Sequence, residues 1–207
     1  MKLGASLIAA LFATSALASA GADEHLLAGS RQFRAGKFAE ALIEFRVAQR
    51  AGNEQAAWYA AACLTRLKRS ADAVEAFAEA ERKAPHARDE VLDYYHAVAC
   101  SDARLYVCAD KLLAGVGDRA GPRVRDQAKT LRTGIEATLR AEPSHGTIDW
   151  YHHRAAEAAK RKRPLLAQAY LSEAAALASR RKDRYRLGEA AAAPVPAPVV
   201  RSQRDRR

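Results

Sequence analysis

Three histidines in the C-terminal third, His145, His152 and His153, are the first side chains of this chain that could hold a metal ion. Zinc and its neighbours need three or four donors converging on one point. Adjacent residues on a helix point about 100° apart, so His152 and His153 cannot converge. They read as a surface pair, and no metal or cofactor is expected. His96 stands where the preceding repeat unit has alanine, and is read as packed or partly exposed. Nucleophilic chemistry finds no G-x-S-x-G stretch, and Cys63, Cys100 and Cys108 are read as lying on helix faces without a catalytic partner. Gly115-Val116-Gly117 is not followed by the Gly-Lys-Ser/Thr of a phosphate loop. The expectation is that the chain is not an enzyme.

Charge is the remaining chemical resource. The 207 residues carry a formal net charge of +10. The basic residues gather in Lys160-Arg161-Lys162-Arg163, in Arg180-Arg181-Lys182, and in the end Arg201-Ser202-Gln203-Arg204-Asp205-Arg206-Arg207. Such runs can neutralise phosphates, or they can be a solvated face. The N-terminus bears on the choice. Lys2 precedes the apolar run Leu3 to Leu17, and Ala18-Ser19-Ala20 reads as a cleavage site. That is the pattern of a secretory signal peptide cut after Ala20, too short for a membrane span. No transmembrane segment is expected in the mature chain, which keeps a charge of +9 because the leader carries only Lys2. A periplasmic or secreted location makes nucleic acid a poor partner and anionic envelope components a better one.

Export also changes how the cysteines are read, because disulfides persist outside the cytosol. Three cysteines allow one internal bridge at most. Cys100 and Cys108 flank Ser101-Asp102, read as a hairpin turn, and could meet across it. Cys63 and Cys100 hold equivalent places on successive first helices, and three buried thiols are a third reading. The sequence leaves all three open.

The element that must position these groups is a repeat. Ala41, Phe45 and Ala48 recur as Ala73, Phe77 and Ala80, each series after a turn and a preceding helix. Spacings of four and three residues place each series on one helical face. Trp58-Tyr59-Ala60-Ala61 is mirrored by Tyr94-Tyr95-His96-Ala97, with Ala109, Leu113 and Val116 following. Gly29 and Ala61 are small contact residues of first helices, Gly36 makes a turn, and Pro85 ends a unit. Pro122 opens a spacer helix with Val124, Ala128, Leu131, Ile135 and Leu139 on one side. Trp150, Tyr151 and Ala155, then Ala167, Leu171 and Ala174 after Pro164, restore the pattern.

This series resembles the tetratricopeptide repeat. The resemblance implies an all-α helical-hairpin solenoid of three to four repeats, at about 23–52, 54–85, 87–116 and 147–180, with the spacer at 122–141. The solenoid would occupy 21–187. Residues 188–207, Ala/Pro/Val-rich and then basic, are expected to be a disordered tail.

Solenoids stack units that bury their apolar faces only against neighbours, and they serve as binding surfaces. The resemblance further implies a peptide or protein partner in a groove lined by first helices, with Phe33, Arg34, Trp58, Arg66 and Tyr94 facing it. The family's clamp for a terminal carboxylate is replaced by Leu26, Ser30, Tyr59, Val91 and Tyr95, so cytosolic-chaperone docking is not implied. The expectation is a non-catalytic interaction module or scaffold of the bacterial envelope. Its rival is an electrostatic binder of anionic envelope material, using the basic C-terminal third.

Overall fold

Alanine carries much of the apolar content, and it is the strongest helix former. The computed structural model describes residues 21–141 and 143–192, with side chains up to Lys182. The leader, its cut after Ala20 and the tail beyond 192 lie outside the described residues. Among the described residues the elements are α-helices and short 3-10 turns, with no strand. The helices are α1 (21–34), α2 (Phe38–Arg50), α3 (Glu54–Arg66), α4 (Ser70–Lys83), α5 (Glu90–Asp102) and α6 (Tyr106–Ala114). They continue as α7 (Pro122–Arg140), α8 (His145–Lys160) and α9 (Pro164–Ala192).

The repeat is visible in the turns. Gly36, Lys68, Arg104 and Lys162 all have positive φ, at 77°, 60°, 64° and 58°. After each, one N–H donates to a carbonyl five residues back: Lys37 to Gln32, Arg69 to Leu64, Leu105 to Cys100 and Arg163 to Ala158. This is the Schellman closure of a helix C-terminus, and it satisfies carbonyls that the helix itself leaves unpaired. Four hairpins, α1–α2, α3–α4, α5–α6 and α8–α9, therefore share one turn geometry. The third turn falls at 103–105 rather than at Ser101-Asp102, which still belong to α5.

Packing follows the apolar series. Ala41, Phe45, Ala48, Ala73, Phe77 and Ala80 are all buried. A Cβ on Gly29 would lie 2.7 Å from the Phe45 ring, so the small residue sets how closely α1 approaches α2. The spacer stripe turns inward as α7, with Ala128 and Ile135 buried. Leu171 departs from its expected core place and is 47% exposed; Leu166 and Tyr170 are buried on α9 instead. The last helix also runs through Gly188 to Ala192, past the point where the sequence suggested a disordered tail.

The last hairpin is held against the rest by carboxylates. α9 packs on α4 and α6, the second helices of the middle two hairpins. Glu75 of α4 accepts from Leu165 N (3.3 Å) and Leu166 N (2.5 Å) at the start of α9. Glu173 of α9 accepts from Val107 N (2.6 Å) and Cys108 N (3.1 Å) at the start of α6. Arg163 pairs with Asp72 at 2.5 Å, and Tyr151 donates to the Arg104 carbonyl at 2.5 Å. Each carboxylate fills a helix N-terminus whose first N–H groups have no intrahelical partner.

Glu173 is itself buried, and that burial pushes its carboxyl above the ordinary range against the opposing pull of the two N–H donors. Replacing Glu173 with Ala strips the acceptor from two N–H groups, and is expected to cost about 2 kcal/mol of stability. Amide exchange at Val107 and Cys108 should accelerate in parallel. A cost under about 0.5 kcal/mol, in the range of unremarkable surface changes, would show that Glu173 does not hold α9 in place.

Candidate functional site

Aromatic rings from α1, α3 and α5, with one from the start of α2, collect in one cluster. Phe33 closes the last turn of α1, Phe38 opens α2, and Tyr59, Tyr94 and Tyr95 come from α3 and α5. Phe33 is the hub: its ring centroid lies 5.3 Å from Phe38, 6.4 Å from Tyr59 and 5.5 Å from Tyr95, all edge to face. Tyr94 stands edge to face against Tyr95 at 5.5 Å. Such contacts fix ring orientation. These five rings are half-buried, which leaves part of each open to a partner.

Arginines border the rings. The Arg66 guanidinium sits 4.5 Å over the Phe38 ring, a cation–π contact. Arg66 is exposed, and Arg34 is exposed beside Phe33. Burial raises the Tyr94 hydroxyl pKa, the neighbouring Tyr95 adds to the rise, and the Arg66 charge opposes it. Burial likewise raises Tyr59, followed by the Asp89 charge.

Trp58 does not belong to this cluster. It is 0% exposed, tilted against Phe77 at 6.0 Å, and its indole N–H donates to the Ala84 carbonyl at 2.9 Å. Trp58 and Tyr59 are neighbours on one helix, so when one turns inward the other faces away from it. The inward one is Trp58, whose polar handle meets the last carbonyl before Pro85. Of the expected set, the structure brings Phe33, Arg66 and Tyr94 together, with Arg34 at the edge. Phe38, Tyr59 and Tyr95 are additional, and the aromatic pairs Trp58-Tyr59 and Tyr94-Tyr95 were the signal for two of them.

No protein-family model, curated protein or solved structure matches the chain. The site must be read from its own chemistry.

The basic residues divide. Lys160, Arg161 and Lys162 are exposed in the α8–α9 turn, and no ion pair joins them to a described residue within 4 Å. Arg163 instead fastens that turn to Asp72. Arg180 lines a cleft of about 230 Å³ with Asp110 and Glu136, while Arg181 and Lys182 line another of about 340 Å³ with His145 and Ile148. His152 and His153 are exposed, and His153 approaches Glu157 at 3.4 Å. A larger cleft of about 720 Å³ lies among Arg46, Arg50, Asn53 and Lys83, and none of the expected site residues lines it.

The cysteines form a separate centre. Cys100 and Cys108 are bonded, joining α5 to α6 with Cα atoms 6.2 Å apart. Cys63 is free and buried, and burial pushes its thiol up to about 12. His96 is buried and stacked on Phe77 with centroids 4.5 Å apart. Its Nδ1 has no hydrogen-bond partner. Burial, and then the Arg88 charge, lower its pKa to about 3. The His96 ring and both sulfurs offer donor atoms within 4.8 Å of one another. Sequence reasoning passed over this grouping, although His96-x-x-x-Cys100 has the i, i+4 spacing that places two side chains on one helical face.

Proposed function

We propose that the chain is a non-catalytic interaction module, a tetratricopeptide-like array that holds an extended peptide or protein segment on the α1/α3/α5 face. The observation that supports this is the aromatic cluster centred on Phe33, fed by three hairpins and edged by Arg66 and Arg34. Rigid aromatics supply contact area at low entropy cost, and arginine supplies fixed donors, the pairing enriched at interface centres. The opposite row of helices is less available, because α9 covers α4 and α6. The leader motif is the ground for proposing that binding occurs in the periplasm or outside the cell. Among the described residues no helix is long and apolar enough to cross a membrane.

The test uses two exposed arginines. The double variant Arg34→Glu with Arg66→Glu should stay folded and lose no more than about 2 kcal/mol, from the cation–π contact over Phe38 and the reversed charge at the end of α3. A photo-crosslinker at Tyr94 should capture a partner segment from the exporting cell in the parent chain, with a loss of about tenfold or more in the double variant; an interface hot spot of 2 kcal/mol corresponds to a change of that size or larger. Equal capture by both chains would reject this face.

A second reading rests on Lys160, Arg161 and Lys162, exposed together at one turn. It predicts that association with anionic envelope material falls steeply with salt, as screening of exposed charges requires. Salt-insensitive association would remove it.

A further inference from the structure

We propose that reduction of the Cys100–Cys108 disulfide turns His96, Cys100 and Cys108 into a three-coordinate binding site for the soft cation Cu(I). His96 and Cys100 lie one turn apart on the inner face of α5, and Cys108 is delivered by the first turn of α6. The hairpin turn at Arg104 brings the two helices together, and the donor atoms of all three residues already lie within 4.8 Å. Nothing must travel far to enclose an ion.

The second observation is the imidazole. His96 is only 7% exposed, and its Nδ1 is buried without a partner. Leaving a buried polar atom unpaired is costly, and native interiors rarely tolerate it. Phe77 covers one face of the ring and holds it in place. A cation held by Nδ1 and the two sulfurs would give that nitrogen the partner that the protein does not.

Donor type decides the ion. Two thiolates and one imidazole form a soft set, which selects Cu(I) or zinc over magnesium or calcium. Zinc sites of this kind are closed by a fourth ligand or keep a water there. The cluster holds three donors among the described residues, no carboxylate with them, and its histidine and Cys100 are buried. These three donors complete a three-coordinate Cu(I) site by themselves, whereas zinc would need a water as its fourth ligand.

The chemistry is a reduction followed by binding. A dithiol reductant donates two electrons and two hydrogens to the disulfide, becomes a disulfide itself, and leaves Cys100 and Cys108 as thiols. Cu(I) then displaces the two thiol protons to solvent, while neutral His96 binds through a ring nitrogen. Once oxidised, Cys100 and Cys108 offer no thiolate, so the disulfide and the ion exclude each other at this site.

The test is titration of the full chain with Cu(I) against a chromogenic Cu(I) chelator, before and after dithiol treatment and removal of the dithiol. The reduced chain should take one Cu(I), and the oxidised chain none. Cys63→Ala should leave that uptake intact, Cys100→Ser and Cys108→Ser should abolish it, and His96→Ala should weaken it by about tenfold or more. X-ray absorption on the unsubstituted reduced chain should show two sulfurs and one nitrogen around copper, which keeps the question answerable if a variant fails to fold. The proposal falls if the reduced chain takes no Cu(I), if the oxidised chain binds it equally, if uptake follows Cys63, or if the absorption spectrum lacks the nitrogen.

Discussion

Trp58→Ala is expected to lower the unfolding free energy by about 3–5 kcal/mol, the range for deleting a large buried aromatic. The indole is fully enclosed between α3 and the elements around Phe77. Truncation opens a cavity that a helical array can close only in part. It also leaves the Ala84 carbonyl without its donor, a hydrogen bond with a net value of about 1 kcal/mol. Trp58→Phe keeps most of the volume and loses only that bond, so it should cost about 1–2 kcal/mol. Urea unfolding followed by circular dichroism reads both. A loss below about 1 kcal/mol for Trp58→Ala would mean that the residue does not anchor the core. If the larger loss is found, failure of the Trp58→Ala chain to bind a partner reports unfolding and not a missing contact, which is why the binding test uses Arg34 and Arg66.

Acid should unfold the oxidised, metal-free chain partly through His96. In the unfolded chain this imidazole titrates near its ordinary 6.5, whereas in the fold it stays neutral until about 3. Between those values the unfolded chain binds the extra proton, so stability falls as the pH falls. The loss is on the order of 3 kcal/mol by pH 4 and approaches about 5 kcal/mol at the lower limit. Burial is the main cause of the displacement, and the Arg88 charge acts in the same direction. His96→Leu removes the titration, so the difference between the two chains in stability at pH 7 and pH 4 isolates the effect. Parallel pH profiles would refute the assignment.

Much of the fold was legible because its signals are local. Ala41, Phe45 and Ala48 lie within two turns of one helix, and so do Ala73, Phe77 and Ala80; burial of such a stripe follows from periodicity alone. Pro122 and Pro164 begin helices where their missing N–H groups cost nothing. What escaped were contacts between distant segments. Glu75 and Glu173 read as two more charges on alanine-rich helices, and only the docking of α9 on α4 and α6 shows that each caps another helix. Leu171 was misplaced for the same reason, since the face that α9 buries is set by where it lands.

The candidate site was half legible. Trp58-Tyr59 announced an aromatic pair, but a helix offers two faces, and side-chain size did not say which residue would be enclosed. His96 was visible only as a substitution for alanine. Its relation to two sulfurs required the hairpin turn to be placed at Arg104 rather than two residues earlier.

The carboxylate fastenings of α9 change the kind of object this chain is. A stack of hairpins that touch only their neighbours unfolds piecemeal and can lengthen by duplication, since each added unit repeats the last interface. Here residue 75 is tied to residue 165 and residue 107 to residue 173, closing long loops across the stack. Those contacts raise the mean separation of interacting residues, so folding should be slower and more all-or-none than an open array of the same length. They also cap growth. A hairpin inserted between α4 and α6 would pull apart the two points that α9 grips, so the aromatic face is fixed at the span of three first helices.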